Sequence, residues 1–171
     1  MTVRRRTGEL TSEFRKTDSS AEDVRSLGSA QGRWVSSLNV TNSGVGPAKV
    51  ETLEVFWDDR PVRTARELLK ACCQVSAEDA SLIASPEALQ TSDLQGTMLG
   101  AQDVRRLLVI QREPQTIGLA DRFATAYGRV KMRACYCSVF DECWISDLET
   151  LHPQAVKQCV KPDVPFASSM N

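Results

Sequence analysis

The sequence predicts a mainly β chain: an antiparallel, immunoglobulin-like β-sandwich with short helices inserted in the connections. Three observations carry this expectation. Short segments alternate apolar and polar residues with period 2, the pattern of half-buried strands. Clusters of turn formers separate them, as at Asn42-Ser43-Gly44-Val45-Gly46-Pro47 and Asp58-Asp59-Arg60-Pro61. No strand–helix–strand rhythm with a glycine-rich crossover occurs, which argues against a doubly wound sheet. At 171 residues the chain is long enough for one domain with a substantial core.

Residues 1–31 are polar and charged, from Arg4-Arg5-Arg6 to Gly28-Ser29-Ala30. Leu10, Phe14, Val24 and Leu27 are too few to pack, so a disordered N-terminal tail is expected there. The sandwich domain is expected over residues 32–150. In Trp34-Val35-Ser36-Ser37-Leu38-Asn39-Val40-Thr41, alternation puts Trp34, Leu38 and Val40 on one face. Val50 to Trp57 alternates again, with Leu53, Val55 and Trp57 on the apolar side. The Asn42–Pro47 cluster between these strands predicts an antiparallel pair, with Gly44 and Gly46 permitting positive φ and Pro47 fixing the start of the next strand.

Thr64 is placed to cap a helix whose Ala65, Leu68, Leu69 and Cys72 form one apolar stripe. Ser76 and Asp79 have the spacing of a capping arrangement for a second short helix ending before Pro86. Residues 85–95 read as a loop. Strands are expected at Thr97–Leu99 and Val104–Gln111, and a helix over Ile117–Tyr127. From Arg129 to Cys137 the alternation is strict. Val130, Met132, Ala134 and Tyr136 share one face; Arg129, Lys131, Arg133, Cys135 and Cys137 share the other. Cys143-Trp144-Ile145-Ser146 is the return strand, with Phe140-Asp141-Glu142 at the tip. Residues 151–171, punctuated by proline, read as a C-terminal tail.

Charge narrows the function classes. With 21 Lys+Arg against 22 Asp+Glu, the chain has no general field for nucleic acid or an anionic membrane. No apolar run approaches the roughly 20 residues of a spanning helix, and no signal-peptide apolar segment follows Arg4-Arg5-Arg6. One histidine, His152, rules out a multi-histidine metal centre.

Six cysteines are the chemistry-bearing residues. Cys135 and Cys137, two apart on a strand, point the same way, and a hairpin centred near Phe140 sets Cys143 opposite Cys137. Cross-strand Cβ atoms lie about 4.5–5.5 Å apart, which suits a Cys137–Cys143 disulfide after a small adjustment. That bond would imply an oxidising compartment. The same residues permit other readings. Cys135, Cys137 and Cys143, with Cys159 or His152 as fourth ligand, could hold zinc or Cu(I), although C-x-C-x5-C is not the usual zinc-knuckle spacing. The thiols could also remain reduced and pack as small hydrophobes. Cys72-Cys73 is not a C-x-x-C pair, and the partners of Cys73 and Cys159 stay open.

Catalytic constellations are thin. A Cys143–His152 nucleophile–base pair lacks an orienting group, and no G-x-S-x-G elbow surrounds any serine. The acidic pairs Asp58-Asp59 and Asp141-Glu142 fall in turns, where carboxylates serve the backbone. The glycines of Asn42–Pro47 lack the Lys-Ser/Thr of a phosphate loop, so Asn42, Gly44, Gly46 and Pro47 read as a structural turn. No catalytic residue and no cofactor is therefore expected.

Two stretches together carry a resemblance. Asn42-Ser43-Gly44-Val45-Gly46-Pro47-Ala48 after Trp34-Val35-Ser36-Ser37-Leu38, and Cys135-Tyr136-Cys137-Ser138-Val139-Phe140-Asp141-Glu142-Cys143-Trp144, resemble an uncharacterised bacterial protein family. That family has an N-x-G-x-G-P-A turn early and a CYCSV-(Y/F)-DECW hairpin near the end. The resemblance spans residues 33–146. It implies an envelope-associated or periplasmic protein and carries no activity with it. Met1 to Gly32 is polar where such proteins carry a hydrophobic segment. The expectation is a non-enzymatic binding module whose partner is a protein or an envelope component; the alternative is a thiolate metal protein using Cys135, Cys137 and Cys143.

Overall fold

Ten strands and three α-helices follow one another along the described residues. They are β1 (Leu10–Lys16), β2 (Val35–Asn42), β3 (Ala48–Trp57), β4 (Arg60–Val62), α1 (Ala65–Cys73), α2 (Ala77–Ile83) and β5 (Leu89–Thr91). Then come β6 (Met98–Leu99), β7 (Val104–Gln111), α3 (Ile117–Ala126), β8 (Val130–Ser138), β9 (Cys143–Ser146) and β10 (Gln154–Val156). The computed structural model describes residues 10–16, 35–150 and 152–167, with the backbone alone for residues 11–16 and for Glu78. Arg4-Arg5-Arg6, Val24, Leu27 and Trp34 lie outside the described residues.

The strands form two antiparallel sheets. One has the order β1-β2-β7-β5; the other runs β10-β9-β8-β3-β4, with β6 also pairing to β3. A single apolar cluster joins them. Leu10, Leu38, Val40, Leu108 and Ile110 enter it from the first sheet, and Val50, Leu53, Val55, Met132 and Tyr136 from the second. The face predicted for Val130, Met132, Ala134 and Tyr136 is this core face. In β3 the core residues change parity between Val50 and Leu53. A bulge between Val50 and Thr52 turns both inward.

The β2–β3 connection differs from the sequence reading. The two strands do not pair; residues 43–47 carry the chain from one sheet to the other. A turn cluster specifies reversal, and reversal serves a hairpin or an arch between sheets equally well. The arch sets Leu38 and Val40 across the core from Val50 and Val55, so both strands bury their apolar faces. Nor do the two glycines take positive φ. Among the described glycines that conformation belongs to Gly96, at φ 78°.

Four further segments expected to be irregular are strands, the first being Arg60–Val62, which pairs with β3 and begins inside the expected Asp58–Pro61 turn. Leu10–Lys16 pairs along its length with β2, and Leu10 is wholly buried, so part of the expected N-terminal tail belongs to the first sheet. Leu89–Thr91 pairs with β7 inside the expected 85–95 loop. Gln154–Val156 pairs with β9 inside the expected C-terminal tail, and Phe166 is buried beyond it. The three-residue strands carry too few alternations to stand out, and β1 has only Leu10 and Phe14 as apolar residues; their partners supply the ladder.

Helices α1 and α2 start where their caps predict. Thr64 accepts the amide of Glu67, and Ser76 and Asp79 form a reciprocal capping box. Helix α1 packs on β3, β4 and α3, while α3 packs on β2 and β7, so the two helices bridge the sheets. Ala65, Leu68, Leu69, Leu119 and Phe123 form that bridge. Asp58 and Asp59, at φ 48° and 62°, make the two-residue turn from β3 to β4. Pro61 falls on β4, an edge where its missing N–H costs no ladder bond.

Candidate functional site

All six cysteines are paired: Cys72 with Cys73, Cys135 with Cys159, and Cys137 with Cys143. The hairpin bond forms as the register requires, because Cys137 and Cys143 are direct cross-strand partners. A loop of four residues, Val139 to Glu142, closes the hairpin. The Ser138 amide donates to the Glu142 carbonyl across it, with Asp141 at φ 58°.

Four of the sulfurs form one cluster on the outer side of the second sheet. Cys135 and Cys137 share the face of Lys131 and Arg133. The cations are exposed and the cysteines are buried. The difference lies in the C-terminal segment: after β10 the chain turns back to Cys159, which is bonded to Cys135. The Sγ atoms of Cys137 and Cys159 are 3.8 Å apart, so the two disulfides are in contact. Sγ atoms of Cys137, Cys143 and Cys159 all lie within 4.8 Å of one another. Of the two candidates for a fourth member beside Cys135, Cys137 and Cys143, the fold brings in Cys159 and leaves His152 exposed.

A cleft of about 360 Å³ opens onto this cluster, lined by Cys135 together with Arg133, Ile145, Val156, Val160 and Lys161. Arg133 donates from Nε and Nη2 to the two Glu54 carboxylate oxygens, at 2.7 and 2.8 Å. Arg129 is paired with Asp58, and Lys131 with Asp59 at 2.8 Å. Hydrogen bonds to Asp58, Asp59 and Glu54 raise Arg129, Lys131 and Arg133, respectively, above their ordinary pKa values. The basic face of β8 is thus matched by acids on β3 and its turn. Asp58 and Asp59, weighed as acid–base candidates, hold these cations.

The other candidate pair is separated. Cys143 is in a disulfide and carries no thiolate, while His152 is exposed. Val156 lies opposite Cys143 and Gln154 opposite Ile145, so His152 continues toward the far end of β9 from Cys143.

Asn42 does more than shape a turn. It is fully buried, accepts the Gly44 amide at 3.0 Å, and donates from Nδ2 to the carbonyls of Gly46, Leu99 and Gly100 at 2.9, 3.0 and 3.0 Å. Gln102 donates in turn to the Ser43 and Gly44 carbonyls. These bonds tie the 43–47 and 96–103 loops together. The hairpin tip is at the same end, because Ala48 pairs with Leu99 on one side and Ser138 on the other. At this end five large apolar side chains stand exposed: Val45, Met98, Val104, Val139 and Phe140, the last 72% accessible. Each interrupts a polar turn or begins a strand, so periodicity gave no reason to group them.

A second constellation joins the helices. Arg122 of α3 donates from Nε to the Cys73 carbonyl at 2.8 Å and from Nη2 to Asp79 at 2.6 Å. Burial acts to raise the Asp79 carboxyl, but the Ser76 backbone amide and hydroxyl and the Arg122 guanidinium together hold it below its ordinary value.

No family model, curated protein or solved structure matches this chain. Among the described residues, no helix is long and apolar enough to cross a membrane.

Proposed function

We propose that the protein is a non-enzymatic, immunoglobulin-like interaction module of the bacterial cell envelope. Its contact surface is the loop end formed by residues 43–47, 96–104 and 139–142. The observation that carries this is the gathering of Val45, Met98, Val104, Val139 and Phe140 at one end. Exposed apolar groups scattered singly need no explanation, whereas several at the same end of a scaffold favour a partner that covers them. Loops on a rigid two-sheet frame are the usual carriers of such contacts. The Asn42 network holds these loops in one arrangement, which lowers the ordering cost of binding. Pairing of all six cysteines supports an oxidising compartment, in keeping with the envelope placement that the family resemblance implies. The partner is a protein or an envelope component.

A photo-crosslinking residue at position 140 tests the surface in cells that make the protein. The control is position 59, in the β3–β4 turn at the opposite end. A discrete adduct at 140 that Val45→Asp abolishes is expected; equal adducts at 140 and 59 would refute the assignment. Thiol counting on the unfolded, unreduced protein tests the compartment, and six free thiols would exclude it.

The second reading is thiolate metal binding, and it concerns the reduced chain. The meeting of two disulfides favours it: reduction frees the thiols of Cys135, Cys137, Cys143 and Cys159 in one place, and the Cys137–Cys159 separation of 3.8 Å is that required by tetrahedral Zn–S bonds of about 2.3 Å. Elemental analysis of anaerobically reduced protein decides it: stoichiometric zinc or copper is expected, and its absence ends the reading.

A further inference from the structure

The four-sulfur cluster has a reactivity that neither a passive staple nor the apolar loop end requires. A thiolate attacks a disulfide when it can reach one of its sulfurs, and the sulfur bonded to the one attacked leaves as a new thiolate. Cys159 stands beside Cys137 at 3.8 Å, with Cys137 bonded to Cys143. Freed from Cys135, Cys159 lies beside a second disulfide, within 4.8 Å of both its sulfurs and so off the S–S axis, and it reaches the in-line position on Cys137 when its segment turns. The cleft that opens onto Cys135 supplies the route by which the first bond is reached. Lys161 in its lining favours the approach of an anionic sulfur, while Arg133 there is paired with Glu54. The covering segment is also suited to rearrangement. Cys159 is half-buried in irregular chain after β10, whereas Cys135, Cys137 and Cys143 are held in the β8–β9 ladder.

We propose that Cys135, Cys137, Cys143 and Cys159 form a two-disulfide exchange relay that accepts electrons from an external dithiol. One thiolate of the dithiol attacks Cys135 Sγ, forming a mixed disulfide and expelling Cys159 as thiolate. The second thiol of the donor attacks its own mixed-disulfide sulfur, so the donor leaves as a cyclic disulfide and Cys135 is released. Two electrons have then passed from the donor to the Cys135–Cys159 bond. Cys159 next attacks Cys137 Sγ, forming Cys137–Cys159 and expelling Cys143, with no further change of oxidation state. The two protons of the donor end on Cys135 and Cys143. The outcome is the same if the donor attacks Cys159 first, because resolution leaves both Cys135 and Cys159 as thiols. The relay moves the reduced sulfur from beneath the C-terminal segment to Cys143, the residue at the base of the exposed hairpin tip.

Disulfide mapping of the wild-type protein tests this. The full chain is treated briefly and anaerobically with dithiothreitol as the dithiol probe, quenched with acid, alkylated with N-ethylmaleimide and mapped by peptide mass spectrometry. Among molecules with one cluster bond reduced, the expected product has alkylated Cys135 and Cys143 with a Cys137–Cys159 linkage. Alkylated Cys135 and Cys159 with Cys137–Cys143 intact would overturn the proposal. The Cys135→Ser variant supplies a test without reductant. The unpaired Cys159 should displace Cys143, so that the adduct appears at Cys143 in a fraction independent of protein concentration. An adduct confined to Cys159, or a Cys143 fraction that rises with concentration, would refute the relay.

Discussion

Replacing Asn42 with alanine should cost about 3–5 kcal/mol, far more than a turn position ordinarily does. The side chain is wholly buried and serves four backbone groups: the Gly44 amide and the carbonyls of Gly46, Leu99 and Gly100. Three of these bonds are buried; alanine removes this partner from the Gly44 amide and the Gly46 carbonyl, while the Leu99 carbonyl keeps its place opposite Ala48 in the ladder. Each orphaned group costs roughly 1–3 kcal/mol, with water entering the small void recovering part of it. The Gly100 carbonyl, part-buried, adds little. Guanidinium chloride unfolding with the disulfides intact is the assay, read from the midpoint at constant slope. Asn42→Asp separates this account from a simple packing defect. The new carboxyl keeps the acceptor for Gly44 but faces three carbonyls, so its folded pKa lies above its unfolded one. That variant should lose least stability in acid, where the group is protonated and can donate, and progressively more as pH rises through the raised folded value. A loss below about 1 kcal/mol for Asn42→Ala, or a pH-independent loss for Asn42→Asp, would refute the reasoning.

Other expected outcomes are as follows. Removing the Cys135–Cys159 bond by double serine substitution should cost about 3.5 kcal/mol and removing Cys137–Cys143 about 2.4, the sequence separations being 24 and 6; denaturation midpoints giving the reverse order would contradict the chain-entropy account. Because its folded-state pKa is depressed, Asp79 contributes stability that is full above its ordinary carboxylate range and lost as pH falls through the lower folded value. Asp79→Asn should therefore flatten the acid limb of the stability–pH curve, and an unchanged limb would count against the Arg122–Asp79 link. Arg122→Ala should cost about 1–3 kcal/mol by leaving Asp79 and the Cys73 carbonyl without this donor, measured by thermal or denaturant unfolding. Phe140→Asp should leave stability within about 0.5 kcal/mol, since the ring is already in water, and should abolish the contact proposed for the loop end.

Much of the second sheet is legible in the sequence because β8 is long and alternates cleanly, as β3 does from Leu53 onward. The core face of β8, the β9 return strand and the Cys137–Cys143 pairing follow from period and turn placement alone. The starts of α1 and α2 follow from local chemistry, as a Thr or Ser oxygen three residues before an amide is a self-contained signal. Strands β1, β5 and β10 are not legible, because a short polar segment becomes a strand when a neighbour offers hydrogen bonds, not through its own pattern. Cys72 was expected on the α1 stripe, yet Cys73 is the buried member of that pair. Both positions lie within the arc of the apolar face, and packing against α3 selects between them.

What the sequence determines by itself is therefore local: where β2, β3, β7, β8, β9 and the helices run, which face β8 turns inward, and that Cys137 and Cys143 are set opposite each other. These depend on spacing along one element or across one short turn. The tertiary structure decides the rest. It sends the Asn42–Pro47 turn between sheets, brings Cys159 from a distant segment onto Cys135 and Cys137, answers Arg129, Lys131 and Arg133 with Asp58, Asp59 and Glu54, and gathers five apolar side chains at one end. Each of these joins segments remote along the chain. Their pairing is set by how two sheets bury a shared core, and residue order does not encode that distance directly.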